Sequence, residues 1–253
     1  MQEIISTTNQ LVKKIKSLKD KENRSLLDLF IVEGENIVKD IPSDINVQYV
    51  FVENKKIGDY QYILDRYDNS IIYSVTSAVM SAISDTKTPS GILCVIKPTK
   101  KDFVKGNSVV VLDCISDPGN MGTIIRTCVA CGIKDIFAIN SVDYTSPKVV
   151  RSTMGGIFNV NVIPSTYDDV FNKLAGYNLL TLDMNGQDIF SMEKIEKPFA
   201  LVVGNEAHGV SKILKEKCTT VLSLPMIGKI ESLNAAVSLS IALYELTFNK
   251  AID

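Results

Sequence analysis

The chain carries one histidine, an odd number of cysteines and no long apolar run, and each shortage removes a class of function. No uninterrupted hydrophobic stretch reaches membrane-spanning length, which argues against a helical membrane protein. Residues 1–10 lack a basic segment followed by an apolar one, so no export signal is read there and the expected location is the cytoplasm. Cys128 and Cys131 form a C-x-x-C pair, but no second C-x-x-C or C-x-x-H completes a metal set. Neither a metal nor a redox centre is therefore expected, and the five cysteines read as small core residues. No G-x-G-x-x-G follows a strand, which disfavours an oxidoreductase on a dinucleotide-binding fold. His208 lies between Ala207 and Gly209 with no orienting carboxylate nearby in sequence, which argues against a general-base role. Internal repeats and low-complexity tracts are also missing.

What is present is ordinary in bulk and informative in detail. The 253 residues are 45% hydrophobic and 22% charged, proportions of a soluble globular chain with one large or two modest domains. A net charge of −2 does not mark a nucleic-acid binder. Near the start, however, Lys13, Lys14, Lys16, Lys19, Lys21 and Arg24 face only Asp20 and Glu22. Such a cluster can neutralise several phosphates; a solvated helix face fits equally well.

Hydrophobic periodicity predicts helices over 8–22, 34–40, 60–66 and 76–83, and strands over 29–32, 47–53, 70–74 and 91–96. This compact α/β unit over 1–98 ends in a polar, proline-containing linker, 97–102. A second unit, 106–253, alternates strands at 108–114, 135–139, 178–183, 199–203 and 220–224 with helices at 120–131, 147–153, 167–175, 211–217 and 232–249. Runs such as Val109-Val110-Val111-Leu112 and Phe199-Ala200-Leu201-Val202-Val203 are continuously apolar, as in parallel strands buried on both faces. The expected class is α/β with a mostly parallel sheet in the second unit, and ligands then bind beyond the strands' carboxyl ends.

Three loops in that position carry unusual chemistry. In the first, Asp117 to Arg126, Gly119 and Gly122 permit close backbone approach and a helix begins near Asn120. Arg126 lies about one and a half turns into that helix on an otherwise apolar stretch, where it needs a partner, either a phosphate or a group across a subunit contact. In the second, a buried strand runs into Gly204-Asn205-Glu206, so Glu206 is expected at a buried sheet edge, ion-paired or chemically active. In the third, 224–237, Ser232 is a plausible N-cap for a final helix that is apolar nearly all round. Asn234 is an odd choice there unless it hydrogen-bonds something specific.

The three loops as they stand, D-P-G-N-M-G-T-I-I-R-T (117–127), V-V-G-N-E-A-H-G-V-S (202–211) and L-P-M-I-G-K-I-E-S-L-N-A-A-V (224–237), resemble, in order, motifs 1, 2 and 3 of the SpoU/TrmH branch of the SPOUT RNA methyltransferases. F-I-V-E-G (30–34) and D-T-K-T-P-S-G-I (85–92) more weakly resemble the L30e-like RNA substrate-binding domain that precedes the catalytic domain in ribosomal-RNA members. Ala207-His208 departs from the small, often glycine-containing pair common after the motif 2 glutamate.

The resemblance implies a trefoil-knotted catalytic domain, a homodimer, and S-adenosylmethionine as the donor for 2′-O-methylation of a ribose in structured RNA. The substrate it implies is 23S ribosomal RNA, with transfer RNA as the alternative and an antibiotic-resistance role as a narrower case. A non-catalytic RNA-binding protein with a similar domain is the non-enzymatic alternative. It places the donor against Thr181, Leu182, Gly204, Leu224, Met226, Ile227 and Leu233, held largely by backbone groups. Arg126, Asn120, Glu206, Ser232 and Asn234 fall on functional positions. Arg126 would contact the ribose-phosphate or accept the hydroxyl proton, a role for which a guanidinium is a poor base. Lys13, Lys14, Lys16 and Arg24 are the candidate RNA contacts.

Overall fold

The computed structural model describes residues 1–99, 101–196, 198–230 and 232–252. Lys100, in the expected linker, and Glu231, in the third loop, lie outside the described residues. The chain forms two compact units, Met1–Lys100 with Asp143–Phe158, and Lys101–Val142 with Asn159–Asp253.

The first unit is built on strands β1 (Gln2–Ile4), β2 (Phe30–Glu33), β3 (Val47–Glu53), β4 (Ile72–Val75) and β5 (Ile92–Ile96), ordered β1-β4-β3-β5-β2. β1, β4 and β3 run parallel, while β5 pairs antiparallel with both β3 and β2. Helices α1 (Gln10–Ser17), α2 (Lys21–Leu27), α3 (Glu35–Val38), α4 (Gln61–Leu64) and α5 (Ser77–Ile83) accompany them. Two apolar clusters form the core, one around Val32, Val50 and Ile63, the other around Ile15, Phe51 and Met80.

The single helix expected over 8–22 is two helices. Asn9 caps α1 by accepting from Leu11 N at 2.8 Å, and the chain breaks after Leu18. Arg24 accounts for that break, because its Nη1 donates to the freed carbonyls of Leu18 (2.8 Å) and Lys19 (2.7 Å). Its Nη2 and Nε reach Asp143 at 2.6 and 3.1 Å. Burial works against the charge of Asp143, but hydrogen bonds from Thr145 and Arg24 outweigh it and hold the carboxyl below its usual range. Arg24 is 5% exposed, so the expectation that it contacts RNA is corrected: its planar donor fork is used inside the fold.

The second unit has one six-stranded sheet, ordered β12-β9-β11-β6-β7-β8 and parallel throughout. Its strands are β6 (Val109–Asp113), β7 (Asp135–Ile139), β8 (Asn161–Ser165), β9 (Asn178–Asp188), β11 (Phe199–Gly204) and β12 (Thr220–Ser223); two-residue β10 (Ile195–Glu196) and β13 (Ala251–Ile252) pair separately. Every residue of β6 and β11 is buried, as their unbroken apolar runs require. β8 escaped the sequence pattern because it is a short edge strand containing Pro164, a residue that edges tolerate. The unit's helices are α6 (Pro118–Ala130), α8 (Tyr167–Lys173), α9 (Lys212–Lys215) and α10 (Ala235–Glu245), the last continuing as a π-turn, Leu246–Lys250, while α7 (Pro147–Ser152), between β7 and β8 in sequence, belongs to the first unit. Buried Cys128 lies in the last turn of α6 and buried Cys131 is its C-cap, and burial raises both thiols.

A division at one linker, 1–98 and 106–253, does not anticipate where α7 goes. The chain leaves β7, spends residues 143–158 in the first unit, and returns to form β8. Besides Arg24–Asp143, this excursion is held by Arg151, which pairs with Asp85 at 2.9 Å and approaches Glu33 at 3.8 Å. Glu33 is buried and also accepts from Ser84 Oγ, Thr86 Oγ1 (2.9 Å) and Asp85 N (3.1 Å). Glu33 belongs to F-I-V-E-G, and Asp85 and Thr86 open D-T-K-T-P-S-G-I just after Ser84, so these two short motifs meet in one polar cluster. Periodicity carries no information about such long-range pairing.

Candidate functional site

The site begins where β6 ends. Asp113 is buried at 1% exposure and accepts from Ser211 N at 2.7 Å and Tyr167 Oη at 3.0 Å. It thereby ties the motif 1 strand to the end of the motif 2 loop. Four residues on, Asp117 caps α6 by accepting from Asn120 N at 2.9 Å, with Pro118 at the first helical position. That cap fixes Asn120 in the first turn, its side chain toward the loops that follow β11 and β12.

The motif 2 loop folds back on its own strand. Gly209 N donates to Asn205 O at 2.8 Å, and the two residues form an isolated antiparallel bridge. Asn205 Oδ1 accepts from Ala207 N (2.9 Å) and His208 N (3.3 Å), while its Nδ2 donates to Cys114 O at 3.0 Å. One amide thus shapes the turn and fastens it to motif 1. The return is tight enough that a Cβ on Gly204 would lie 2.2 Å from Gly209 C.

Asn120, Glu206 and Asn234, one from each loop, form a continuous hydrogen-bonded chain. Asn120 Nδ2 donates to Glu206 Oε1, and Asn234 Nδ2 donates to Asn120 Oδ1 at 2.9 Å. Asn234 Oδ1 accepts from Ala236 N (2.9 Å) and Val237 N (3.3 Å), the first free amides of α10. The direction is forced at both ends. An ionised carboxylate can only accept, and a helix N-terminus can only donate, so both amides must face the way they do. The helix end therefore orients Glu206 through two side chains.

Two expectations are corrected here. The N-cap of the last helix is Asn234 rather than Ser232, because Asn234 holds the amides of residues 236 and 237. Glu206 is exposed, not buried at a sheet edge, because the turn after Asn205 lifts it off the strand, and it forms no ion pair among the described residues. His208 is exposed and its imidazole makes no hydrogen bond among the described residues. Arg126 lies on the exposed face of α6, outside the Asn120–Glu206–Asn234 chain and without an ion pair among the described residues.

Beside this chain lies a cavity of about 720 Å³. Of the residues the resemblance placed against the donor, Leu182, Leu224, Met226 and Leu233 line it, and so does Ser232. Thr181 and Gly204 do not line it, and Ile227 is fully exposed. Its wall within β9 exists because the β9–β12 ladder jumps from Thr181↔Val221 to Gln187↔Leu222, so residues 182–186 bulge from the pairing with β12. Gly186 permits that return, since a Cβ there would meet the Leu222 backbone at 2.5 Å. Leu224, Pro225 and Met226, also in the lining, make no backbone hydrogen bond among the described residues. Thr181 Oγ1, buried next to Leu182 in sequence, also has no partner.

Asp113, Tyr167 and Asn205 were not singled out from sequence. The signal for Asp113 was available: a carboxylate closing a five-residue strand that is otherwise wholly apolar. Nothing local marks Asn205 or Tyr167, whose partners are 91 and 54 residues away.

Comparison with known proteins completes the description. Residues 107–244 match the SpoU rRNA Methylase family, and residues 9–94 match the MRM3-like substrate binding domain. The 23S rRNA (guanosine(2553)-2′-O)-methyltransferase RlmP of Bacillus subtilis is 32% identical over 97% of this chain and 99% of its own. An AdoMet-bound rRNA methyltransferase from Sinorhizobium meliloti superimposes with a TM-score of 0.84 at 26% identity, covering 97% of both chains. The SpoU methyltransferase AviRb of Streptomyces viridochromogenes shares the fold, with a TM-score of 0.82 at 23% identity over 94% of this chain and 97% of its own.

Proposed function

The chain belongs to the SpoU rRNA methylase family, and from that premise we propose that it transfers a methyl group from S-adenosylmethionine to a ribose 2′-oxygen of 23S ribosomal RNA. The observation that carries the reading is the Asn234–Asn120–Glu206 chain beside a cavity of about 720 Å³, a volume suited to a nucleoside-sized ligand.

The residues present fit the donor. Leu182, Leu224, Met226 and Leu233 offer apolar walls to a base, and the unpaired backbone of 224–226 offers hydrogen bonds to its edge. When bound, the donor supplies a methyl already activated by a positive sulfonium. The chain's own residues then align and orient. Asn120 and Asn234 fix the Glu206 carboxylate, which accepts from the ribose hydroxyl, and Arg126 contacts the adjoining phosphate with its free guanidinium. Ser232, on the cavity wall, faces the donor.

RNA binding falls to the first unit, where the exposed Lys13 and Lys16 are the phosphate contacts. Lys14 is half-buried; its ammonium lies 5.4 Å from the Tyr49 ring centroid and donates to Tyr49 Oη at 3.4 Å. The knotted arrangement goes with this reading and is supported by the strand order and by the packing of α10 against both α6 and β11. No helix among the described residues is long and apolar enough to cross a membrane, and the reading places the protein with ribosomal RNA in the cytoplasm.

Mapping 2′-O-methylation across 23S ribosomal RNA from cells with and without the protein tests the reading. One ribose methyl is expected to vanish in its absence and to be restored by purified protein with S-adenosylmethionine. An unchanged methylation map, together with no transfer in vitro, overturns it.

The reading includes a homodimer, supported by an apolar stripe on α10 and the π-turn that continues it. Val237, Ile241, Tyr244 and Phe248 recur at helical spacing with exposures of 44, 37, 49 and 63%. Each large side chain taken out of water stabilises an interface by roughly 1–3 kcal/mol. Ile241→Asp is expected to convert the dimer to monomer in sedimentation; a wild-type monomer at micromolar concentration removes the proposal.

A further inference from the structure

Asp183 is the ionisable side chain among the described residues lining the 720 Å³ cavity. It sits on the 182–186 excursion, and both of its oxygens are held. Oδ1 accepts from Asn185 N at 3.1 Å, and Oδ2 accepts from Lys215 Nζ. The Lys215 hydrogen bond, then the Asn185 amide, hold this carboxyl below its ordinary range, so it is charged at neutral pH. Lys215 lies on α9, just past the motif 2 loop, and is 45% exposed against 25% for Asp183. Solvent therefore screens the lysine more than the carboxylate, and the pair leaves negative potential at the cavity wall.

The reaction proposed above changes the charge of whatever occupies that cavity. The S–CH3 bond breaks, the O–CH3 bond forms, the electron pair stays on sulfur, and the ribose proton is released. A cationic sulfonium becomes a neutral thioether. We propose that Asp183 makes the cavity selective for a cationic occupant, favouring the donor over the spent S-adenosylhomocysteine and so relieving product inhibition. This rests on the cavity being the donor site. A sphere of this volume has a radius of roughly 6 Å, and a unit charge pair at that distance with an effective dielectric near 20 discriminates about a hundredfold. The Lys215 counter-charge reduces that to about five- to tenfold.

Calorimetry of the full chain with S-adenosylmethionine and with S-adenosylhomocysteine tests this on wild type, Asp183→Asn and Lys215→Met. The product-to-donor ratio of Kd values is expected to fall about five- to tenfold in Asp183→Asn and to rise in Lys215→Met. An unchanged ratio in both variants, with both ligands weakened alike or not at all, overturns the inference and leaves the pair a structural tie. Should Asp183→Asn unfold, the surface variant Lys215→Met decides alone, by whether the ratio rises. If wild type binds neither compound, the donor-site reading itself fails.

Discussion

Arg126→Ala is expected to lower methyl transfer by about 10²–10⁴-fold while leaving donor affinity within about twofold and thermal stability unchanged. The separation follows from where Arg126 lies. It is on the exposed face of α6 and forms no ion pair among the described residues, so folding does not depend on it. It is also not among the residues lining the cavity. In the proposed reading it serves the nucleic acid, where a forked guanidinium can hold a phosphate bidentately and set the ribose in line with the methyl. Arg126→Lys keeps the charge but not the fork, and should recover only part of the rate. Single-turnover transfer with S-adenosylmethionine, beside calorimetric donor binding, measures both quantities. Near-normal turnover in Arg126→Ala would remove Arg126 from the machinery.

Gly204→Ala is expected to abolish transfer, by at least about a hundredfold, through the backbone rather than through lost chemistry. A methyl there would sit 2.2 Å from both C and O of Gly209 and 2.3 Å from Val210 N, all main-chain atoms that cannot rotate aside. The 205–209 turn must open, breaking the Asn205–Gly209 bridge and displacing Glu206 from Asn120. A loss of roughly 3 kcal/mol would lower Tm by about 6–12 °C in a chain of this size. Gly58→Ala is the control: nothing lies within 4 Å of a Cβ there, and stability and transfer should be unchanged. A Gly204→Ala protein with wild-type Tm and rate would show that the turn does not need its close return.

The catalytic unit was largely legible, because parallel strands buried on both faces must be continuously apolar and turns beyond them must be built from small and polar residues. β6, β7 and β11 fall within a residue of expectation on that ground, and the three loops were located from composition and order. Asn234 stood out because an amide opening an apolar helix needs a partner; that partner is Asn120, 114 residues earlier. Charged residues were harder. Arg24, in a lysine-rich stretch, was expected to contact RNA and is buried instead, whereas Arg126, in an otherwise apolar stretch, is exposed. Arg24 is drawn in by carbonyls freed where two helices meet and by an aspartate 119 residues away. Arg126 is left out because its position on α6 faces away from the core.

By itself, then, the order of residues determined the class of fold, the three turns that bear chemistry and the family to which they belong, since local periodicity and short motifs are properties of neighbours along the chain. Only the tertiary structure decided that residues 143–158 pack with the first unit, that Asn205 and Asp113 fasten the loops, and that Glu206 is oriented from a helix end through two amides. Those pairings join residues tens to more than a hundred positions apart. Which of many chemically suitable partners a buried donor meets is settled by packing geometry, to which spacing along the chain is blind.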